Sequence, residues 1–212
     1  MKKTIFMLLL SAFLILGAIT LFWLSSFKVP TSESIRERRI IESTKIYDRS
    51  GKILLYDTGD NIRRSIVPIE EISRYIKNAT IAIEDKEFYQ HHGVKPTAFI
   101  RATLVNILSL NFSQGGSTIT QQVVKNSLLT SEKLISRKIK EWVLAVKLEQ
   151  VAAKDEILSM YLNEIPYGGI IYGVEEASEA FFGKKSFDVT LAEAAYLAAL
   201  PKAPTFYSPY GP

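Results

Sequence analysis

The first 28 residues are dominated by one apolar run. Residues 4–24 carry no charge and no proline, and at ~1.5 Å rise per residue they would form a helix of about 31 Å, close to the ~30 Å of a hydrocarbon core. Lys2 and Lys3 precede the run, so the positive-inside rule predicts a single-pass membrane anchor with a cytoplasmic N-terminus. A cleaved signal peptide is the alternative, but its apolar region is only ~7–15 residues long. Either way, we expect the rest of the chain outside the cytoplasmic membrane.

The pattern then changes to that of a linker, a short β element and a series of helices. Residues 29–44 are rich in charge and predict a linker. Apolar residues flank Ser50 and Gly51 in the segment 45–56, which predicts a β-hairpin. From Pro68 onward apolar residues recur at helical spacing, with Gly and Pro between the runs. The predicted helices cover 69–86, 96–110, 118–129, 132–150, 154–162, 172–181 and 190–199. The predicted fold is therefore mainly α.

The composition narrows the class of protein. Of the 212 residues, 47% are hydrophobic and 23% are charged, values of a globular protein rather than of a disordered or polytopic membrane protein. Cysteine is absent, which excludes disulfides, thiolate metal sites and a cysteine nucleophile. The net charge is +4, of which Lys2, Lys3 and Lys28 supply three. The remainder is almost neutral and has no recognised nucleic-acid-binding module, so nucleic acid is not a predicted partner.

The segment 84–93, EDKEFYQHHG, contains the first candidate chemistry. Glu84 follows the apolar run 79–83, which predicts a buried helix, and a carboxylate at the end of such a helix is partly desolvated. Desolvation raises the pKa of the carboxylate and makes it a better general base. The alternative is a solvated acidic helix end beside a loop. His91 and His92 are the only histidines, and adjacent residues of a helix or strand cannot both face one ion, so a zinc site is not expected.

The segment 114–126, QGGSTITQQVVKN, is dense in hydrogen-bonding side chains. Its two glycines allow a sharp turn or a close approach to a ligand, and Thr118 with Gln121 fits a capping box at a helix start. A helix that begins after glycines can hold an anion through its free N–H groups. Gln122 and Lys125 are three residues apart and therefore share one face of that helix. The alternative is an ordinary capped helix whose polar side chains bind no ligand.

Two further segments are candidates, one for its charged side chains and one for the polar residue at the end of its predicted helix. In RKIKE, Glu141 lies four residues after Arg137 and three after Lys138, so the three side chains project together at the mouth of a buried region. The alternative is ordinary ion pairing on a solvated helix, which contributes ~0.2–0.5 kcal/mol. In KDEILSMYLN, residues 154–163, an apolar face precedes Asn163, which is expected to end the helix.

These segments, in this order, resemble the peptidoglycan glycosyltransferase domain (glycosyltransferase family 51) of class A penicillin-binding proteins and monofunctional transglycosylases. The motifs that carry the resemblance are EDKEFYQHHG, GGSTITQQVVKN, RKIKE, KDEILSMYLN, GVEEASEAFFGK and LAEAAYLAALPKAPTFYSPYGP. The resemblance covers residues 45–212, which we expect to form one domain after an anchor at 1–28 and a linker at 29–44. The family's further Arg-rich motif and the transpeptidase domain do not appear, so we expect the C-terminal end of the domain to be truncated.

The resemblance implies a fold and a reaction. The fold is a mainly α, lysozyme-like helical lobe with a small membrane-proximal jaw and a short β element, preceded by one transmembrane helix. The reaction is polymerisation of lipid II into β-1,4 glycan strands, with inversion and release of undecaprenyl pyrophosphate. The implied partners are lipid II, the growing glycan strand, the membrane and other cell-wall synthesis proteins. No cofactor is required, although the family allows a divalent cation, Mg²⁺ or Mn²⁺. The implied location is the cell membrane, with an extracytoplasmic catalytic domain.

The resemblance also implies roles for individual residues. Glu84 would be the base that takes the acceptor proton, and Glu141 a second carboxylate that assists at the donor side. Three cations would offset the charge of the leaving pyrophosphate, namely Lys125, Arg137 and Lys138. Polar residues would bind the sugar and phosphate groups, namely Ser117, Thr118, Gln121, Gln122, Asn126 and Asn163. Other motif positions would bind substrate or support the site, namely Asp85, Phe88 and His91.

Two other classes of protein remain as alternatives. A hydrolase of lysozyme-like shape would use Glu84 as an acid and water as the nucleophile, but a basic pyrophosphate site would then have no purpose. A membrane-anchored, non-catalytic partner protein would not require both glutamates and the cations. The three classes differ in what they do to lipid II and to finished glycan.

Overall fold

The computed structural model of the chain describes most of its residues. These are 2–25, 33, 40, 42–58, 62–109, 115–127, 129 and 135–202. An N-terminal helix, α1, runs Lys2–Ser25 and coincides with the predicted anchor. Within the described ranges, no helix combines the length and the apolar character that crossing a membrane requires. The predicted transmembrane helix is therefore not confirmed.

The helices after α1 form the body of the molecule. They are α2 (Arg74–Glu84), α3 (Pro96–Ser109), α4 (Ile119–Ser127), α5 (Ile135–Val151), α6 (Lys154–Glu164), α7 (Val174–Phe182) and α8 (Leu191–Ala199). Each overlaps a predicted helix, so the mainly α class is confirmed. This architecture agrees with the lysozyme-like lobe that the resemblance implies, while the membrane-proximal jaw stays a prediction.

The prediction of one continuous helix over 69–86 is wrong. The chain first makes a 3-10 turn at Ile69–Glu71, then passes through extended backbone at Ile72 (φ −96°, ψ 130°). The helix α2 begins only after Ser73, whose Oγ accepts a hydrogen bond from Tyr75 N at 3.2 Å. Such an N-cap satisfies a free N–H group and fixes where a helix starts. A serine in the middle of the predicted helix was the signal for this break.

The hydrophobic core lies between the helices of the body. α2 packs against α8, and α4 packs against both α5 and α6. Fully buried apolar side chains fill the space, among them Phe88, Ile119, Leu148, Ile157, Leu158, Leu162, Leu197 and Leu200. The expectation that the run 79–83 is buried is only partly met. α2 buries one stripe, with Ile76 and Thr80, and leaves Ala82 exposed, because only one side of this helix faces α8.

The predicted hairpin is confirmed. Its strands are β1 (Lys45–Tyr47) and β2 (Leu54–Asp57), which pair antiparallel with Lys45 opposite Asp57. Lys45 Nζ contacts Glu176 of α7 at 2.5 Å and Glu179 of the same helix at 3.0 Å. The hairpin is thus fastened to the helical body by charge, whereas several of its large apolar side chains remain exposed.

A second, smaller hairpin has no counterpart among the predicted elements. It consists of β3 (Pro166–Gly168) and β4 (Ile171–Tyr172), which pair antiparallel. Its signal in the sequence is the Gly168-Gly169 pair between apolar residues, a pattern typical of tight hairpins. The backbone of Arg63 joins this hairpin, because its N–H donates to Ile170 O at 2.8 Å and its C=O accepts from Tyr172 N at 2.9 Å.

Candidate active site

Glu84 is the last residue of α2 and lies partly buried beside α4. Its Oε2 accepts a hydrogen bond from Gln122 Nε2 at 2.6 Å. Its other oxygen, Oε1, is buried and has no hydrogen-bond partner among the described residues. Burial raises the pKa of Glu84 above its ordinary value of 4.5, while the Gln122 hydrogen bond and the charge of Lys202 partly oppose the rise. The predicted desolvated carboxylate is thus confirmed.

Two buried tyrosines lie within the electrostatic range of Glu84. Tyr161 of α6 and Tyr167 of β3 are each 2% exposed. Burial raises the pKa of both hydroxyls, and the charge of Glu84 raises it further. Sequence reasoning missed both residues, because Tyr161 lies on the apolar face of α6 and its spacing assigns it to the core.

Asp85 and His91 join the loop after α2 to the start of α4. His91 Nε2 contacts Asp85 Oδ2 at 2.7 Å, and the backbone N–H of Ile119 donates to the same oxygen at 3.2 Å. Phe88 is fully buried beneath the loop, with its ring in edge contact with His91. These three predicted residues therefore hold the loop that follows Glu84. Their contact with substrate stays a prediction.

A buried ion pair that the motif reasoning missed lies behind this loop. Lys154 Nζ contacts Glu149 Oε1 at 2.7 Å and donates to His91 O at 2.7 Å. Thr120 Oγ1 donates to the same Glu149 oxygen at 2.5 Å. Glu149 thus connects α4, the end of α5 and the histidine loop. The available signal was an acidic residue among the apolar positions of α5, where a buried charge needs a partner.

The start of α4 packs closely on its neighbours. Thr118 N donates to Gln121 Oε1 at 2.8 Å, and Gln121 N donates to Thr118 Oγ1 at 3.1 Å, which confirms the predicted capping box. Thr118 Oγ1 also donates to Gly93 O at 2.6 Å. Gly93 has φ +85°, and a Cβ there would lie 2.5 Å from Ala145 O of α5. Because only glycine fits this contact, the loop, α4 and α5 are held in one fixed geometry.

Glu141 is 2% exposed and lies against two cations of its own helix, α5. Lys138 Nζ contacts its Oε2 at 2.8 Å, and Arg137 Nε contacts its Oε1 at 3.4 Å. Lys138 Nζ also donates to Ser117 Oγ at 2.9 Å. The predicted clustering of the three charged residues is confirmed. The side chains of Arg137 and Lys138 remain 30% and 40% exposed, so both cations can still meet a ligand.

Three further predicted site residues take no part in the contacts described above, and in the described part of the chain they make no hydrogen bond or ion pair to either glutamate. Lys125 and Asn126 are exposed in the last turn of α4. Asn163 is buried, and the prediction that it ends its helix is wrong, because α6 continues to Glu164. The Asn163 amide accepts from Val67 N and donates to Val67 O, each at 3.0 Å. These bonds anchor the chain before α2, and a role of Asn163 in substrate binding stays a prediction.

The segment 115–122 connects the surroundings of the two glutamates. Gln122 bonds to Glu84, and Ser117 bonds to the lysine that contacts Glu141. The arrangement combines a desolvated proton acceptor with fixed positive charge, the two features that displacement of an anionic leaving group by a hydroxyl requires. Among the described residues, no group of three or more His, Asp or Glu side chains is placed to hold a metal ion.

Comparison with known proteins gives consistent results. Residues 51–212 match a family model described as Transglycosylase. Penicillin-binding protein 1A of Aquifex aeolicus (strain VF5) is 42% identical over 190 residues, which cover 87% of this chain and 26% of that protein. Penicillin-binding protein 1F of Bacillus subtilis (strain 168) is 41% identical over 98% of this chain and 29% of its own. Penicillin-binding protein 1A of Escherichia coli (strain K12) is 40% identical over 96% and 24%, respectively. The chain spans about a quarter of the length of these relatives.

Proposed function

Because the chain belongs to the transglycosylase family, we propose that it is a peptidoglycan glycosyltransferase of cell-wall synthesis that polymerises lipid II into β-1,4 glycan strands. The 4-hydroxyl of the acceptor N-acetylglucosamine forms a new bond to the anomeric carbon of the growing chain. The bond from that carbon to the pyrophosphate breaks, and undecaprenyl pyrophosphate leaves with the bonding electrons. Attack opposite the leaving group inverts the configuration.

The environment of Glu84 is the observation that carries this proposal. The attacking hydroxyl must lose its proton as the new bond forms, and a base with a raised pKa accepts it more readily. Burial raises the pKa of Glu84, Gln122 holds one carboxylate oxygen, and the other oxygen has no partner among the described residues. One oxygen is thus fixed in position, and the carboxylate keeps unused lone pairs with which to accept the proton.

The cations beside Glu141 supply the second requirement of the reaction. Negative charge grows on the pyrophosphate oxygens as they leave, and preorganised cations stabilise charge that develops in the transition state. Glu141 holds the Lys138 ammonium and the Arg137 guanidinium in place, and both cations keep an exposed surface. Glu141 therefore assists at the donor side by positioning these two cations.

The remaining polar residues fall into two groups. Thr118 and Gln121 are buried, and their side chains form the cap of α4. Their contribution is therefore to fix the helix that carries Gln122. Lys125 and Asn126 are exposed on the same helix and are open to sugar or phosphate groups of the substrate.

Incubation with two substrates separates the proposal from its alternatives. Purified protein is mixed with lipid II in one reaction and with finished, uncross-linked glycan in another. We expect glycan polymer from lipid II and no cleavage of finished glycan. Cleaved glycan would identify a hydrolase, and the absence of either product, with lipid II still bound, would identify a non-catalytic partner protein.

We also propose that α1 anchors the protein in the cell membrane, with the helical body on the extracytoplasmic side. The support is the uncharged run at 4–24 and the two lysines before it. High-salt washing of membranes should leave the protein in the pellet, because salt weakens only charge attraction. A variant that lacks residues 1–28 should be released at least in part. Complete release of the intact chain by salt would contradict the anchor.

A further inference from the structure

Two buried polar atoms have complementary hydrogen-bonding chemistry, and one of them belongs to the proposed base. Glu84 Oε1 is an acceptor, the Tyr161 hydroxyl is a donor, and neither has a hydrogen-bond partner among the described residues. Tyr161 projects from α6, which packs against α4, and α4 carries the Gln122 that bonds to the other Glu84 oxygen. The charge of Glu84 is also one of the causes, after burial, that raise the pKa of the Tyr161 hydroxyl.

A buried hydroxyl without a partner is unfavourable, and a core position offers a simpler solution. Burying a hydroxyl without a hydrogen bond costs free energy, whereas phenylalanine would fill the same space on α6 without that cost. The apolar surroundings of Tyr161 give no other reason for the hydroxyl, since the ring packs in the hydrophobic core. The oxygen therefore requires a function that the fold alone does not provide.

We propose that the Tyr161 hydroxyl donates a hydrogen bond to Glu84 Oε1, directly or through one bridging water, whenever Glu84 is ionised. Tyr161 is thus a positioning residue, which holds the second oxygen of the base as Gln122 holds the first. The inference rests on the proposed function of Glu84 and deepens it. It assigns to this tyrosine the control of how much ionised base is present at a given pH.

The sign of this control follows from the groups around Glu84. The charge of Asp85 at the end of α2 raises the pKa of Glu84, and that of Lys202 after α8 lowers it. Tyr167 of β3 also lies within range of the Glu84 charge, and Gln122 of α4 is neutral. A hydroxyl that donates to the carboxylate stabilises its ionised form and so lowers the pKa of Glu84. Removing that hydroxyl must move the pKa of Glu84 upward.

The test is the pH dependence of kcat/KM for lipid II polymerisation by the full chain. In Tyr161→Phe the acid limb should move up by ~1 pH unit, the size expected for loss of one hydrogen bond to a charged group. On the alkaline plateau the variant should stay within about 3-fold of the parent, because the ionised base is then fully formed. Tyr75→Phe is the matched control, since its hydroxyl accepts from Arg74 at the opposite end of α2 and should leave the acid limb unchanged.

A second measurement needs no activity and keeps the two proposals distinguishable. Thermal unfolding of the parent, Tyr161→Phe, Glu84→Gln and the double variant gives the coupling between the two side chains. We expect Tyr161→Phe to lower the midpoint more in the parent than in the Glu84→Gln background, because the neutral amide is a weaker acceptor. The role of Tyr161 would be overturned if the acid limb of Tyr161→Phe stayed at the parent pH. It would also be overturned if Tyr161→Phe changed the unfolding midpoint equally in the parent and in the Glu84→Gln background. Absence of polymerisation by the parent would instead overturn the proposed function, and the unfolding cycle would still decide the contact.

Discussion

Glu84 and Glu141 are the same type of side chain in opposite electrostatic surroundings. Glu84 meets a neutral amide at one oxygen and has no partner for the other among the described residues. Glu141 is more deeply buried, yet a cation contacts each of its oxygens, at 2.8 and 3.4 Å. A buried carboxylate with opposite charges beside it is compensated, whereas a carboxylate beside a neutral amide keeps the cost of its burial.

The difference separates the two roles that the reaction requires. A base must gain a proton during turnover, and desolvation without a cation in contact favours that gain. A residue that positions cations must hold them in place, and Glu141 contacts one cation with each of its oxygens. Helical spacing predicts the cations beside Glu141, but it does not predict the neutral partner of Glu84, because Gln122 lies on a separate helix. The predictions below test the difference, from the largest expected effect to the smallest.

Removal of the base should have the largest effect. Glu84→Gln keeps the shape of the side chain and its contact with Gln122 but cannot accept a proton. We expect polymerisation of lipid II to fall by ~10²–10⁴-fold, the range for loss of a general base, with lipid II binding retained. The rate is measured by glycan chain formation, and circular dichroism controls for folding. A variant that polymerises at the parent rate would end the mechanism proposed for Glu84.

Removal of one cation should come next. Lys138→Ala should reduce turnover by ~10²–10³-fold, the range for loss of one preorganised donor at a developing charge. Lys52→Ala is the control, because Lys52 is an exposed lysine on the hairpin. Both variants are compared in kcat at saturating lipid II. Equal activity of the two would mean that the charges around Glu141 are only a solvated helix face.

Neutralising the second glutamate should have a smaller effect with a different signature. Glu141→Gln leaves Arg137 and Lys138 present but no longer held by charge, and displaced groups of this kind cost ~10- to 10²-fold. The loss should be the same at every pH at which Glu84 is ionised, because Glu141 does not take the proton. A pH–rate profile of this variant checks the assignment. If the acid limb of the pH–rate profile disappears in Glu141→Gln, then Glu141 rather than Glu84 is the base.

The smallest effect concerns stability. Because burial raises the pKa of Glu84, the folded chain binds that proton more tightly than the unfolded chain. The stability linked to this proton is fully present below the unfolded-state pKa, near 4.5, and is lost as the pH rises through the raised value. Glu84→Gln should therefore raise the unfolding midpoint near neutral pH, by about 2–4 °C for each ~1 kcal/mol of burial cost that the neutral amide relieves in a chain of this size.

The same comparison at acidic pH supplies the control for that result. Below the unfolded-state pKa the parent carries the proton in both states, so the parent and Glu84→Gln should unfold at the same temperature. Differential scanning calorimetry at both pH values is sufficient. A variant that is less stable than the parent near neutral pH would show that ionised Glu84 is well compensated in the fold.

The sequence was sufficient for the helices and the first hairpin, because their periodicity repeats over many residues. It failed where one residue decides the backbone. Ser73 caps α2 and divides the predicted helix over 69–86. The second hairpin turns at Gly169 and Ile170, and its strands are too short to show an alternating pattern, so the glycine pair is its main signal. Asn163 lies inside α6, and its amide bonds to the backbone of Val67, a contact between residues 96 apart in the chain that local spacing does not predict.

The charged cluster of the site was predictable, since helical spacing alone brings Arg137 and Lys138 to Glu141. The contacts of Glu84 could not be predicted, because the residues that surround it come from separate helices and strands. Gln122 was predicted to share a face with Lys125, but only packing of α4 against its neighbours aims it at the base. The sequence analysis did not identify Tyr161 as a site residue, for a different reason. A tyrosine and a phenylalanine give the same hydrophobic pattern, and only the buried position of the hydroxyl distinguishes them.

The paired bonds between Asn163 and Val67 have a mechanical consequence. A pulling force applied through the hairpin of β1 and β2 would reach the helical body by two routes, the contacts of Lys45 with α7 and the chain at residues 62–68. Along the chain it would first load the backbone bonds of Arg63 to the second hairpin, and then the two bonds of Val67 to the end of α6. Both attachments precede α2, so tension is transferred to α6 and the second hairpin before it reaches the helix that ends at Glu84.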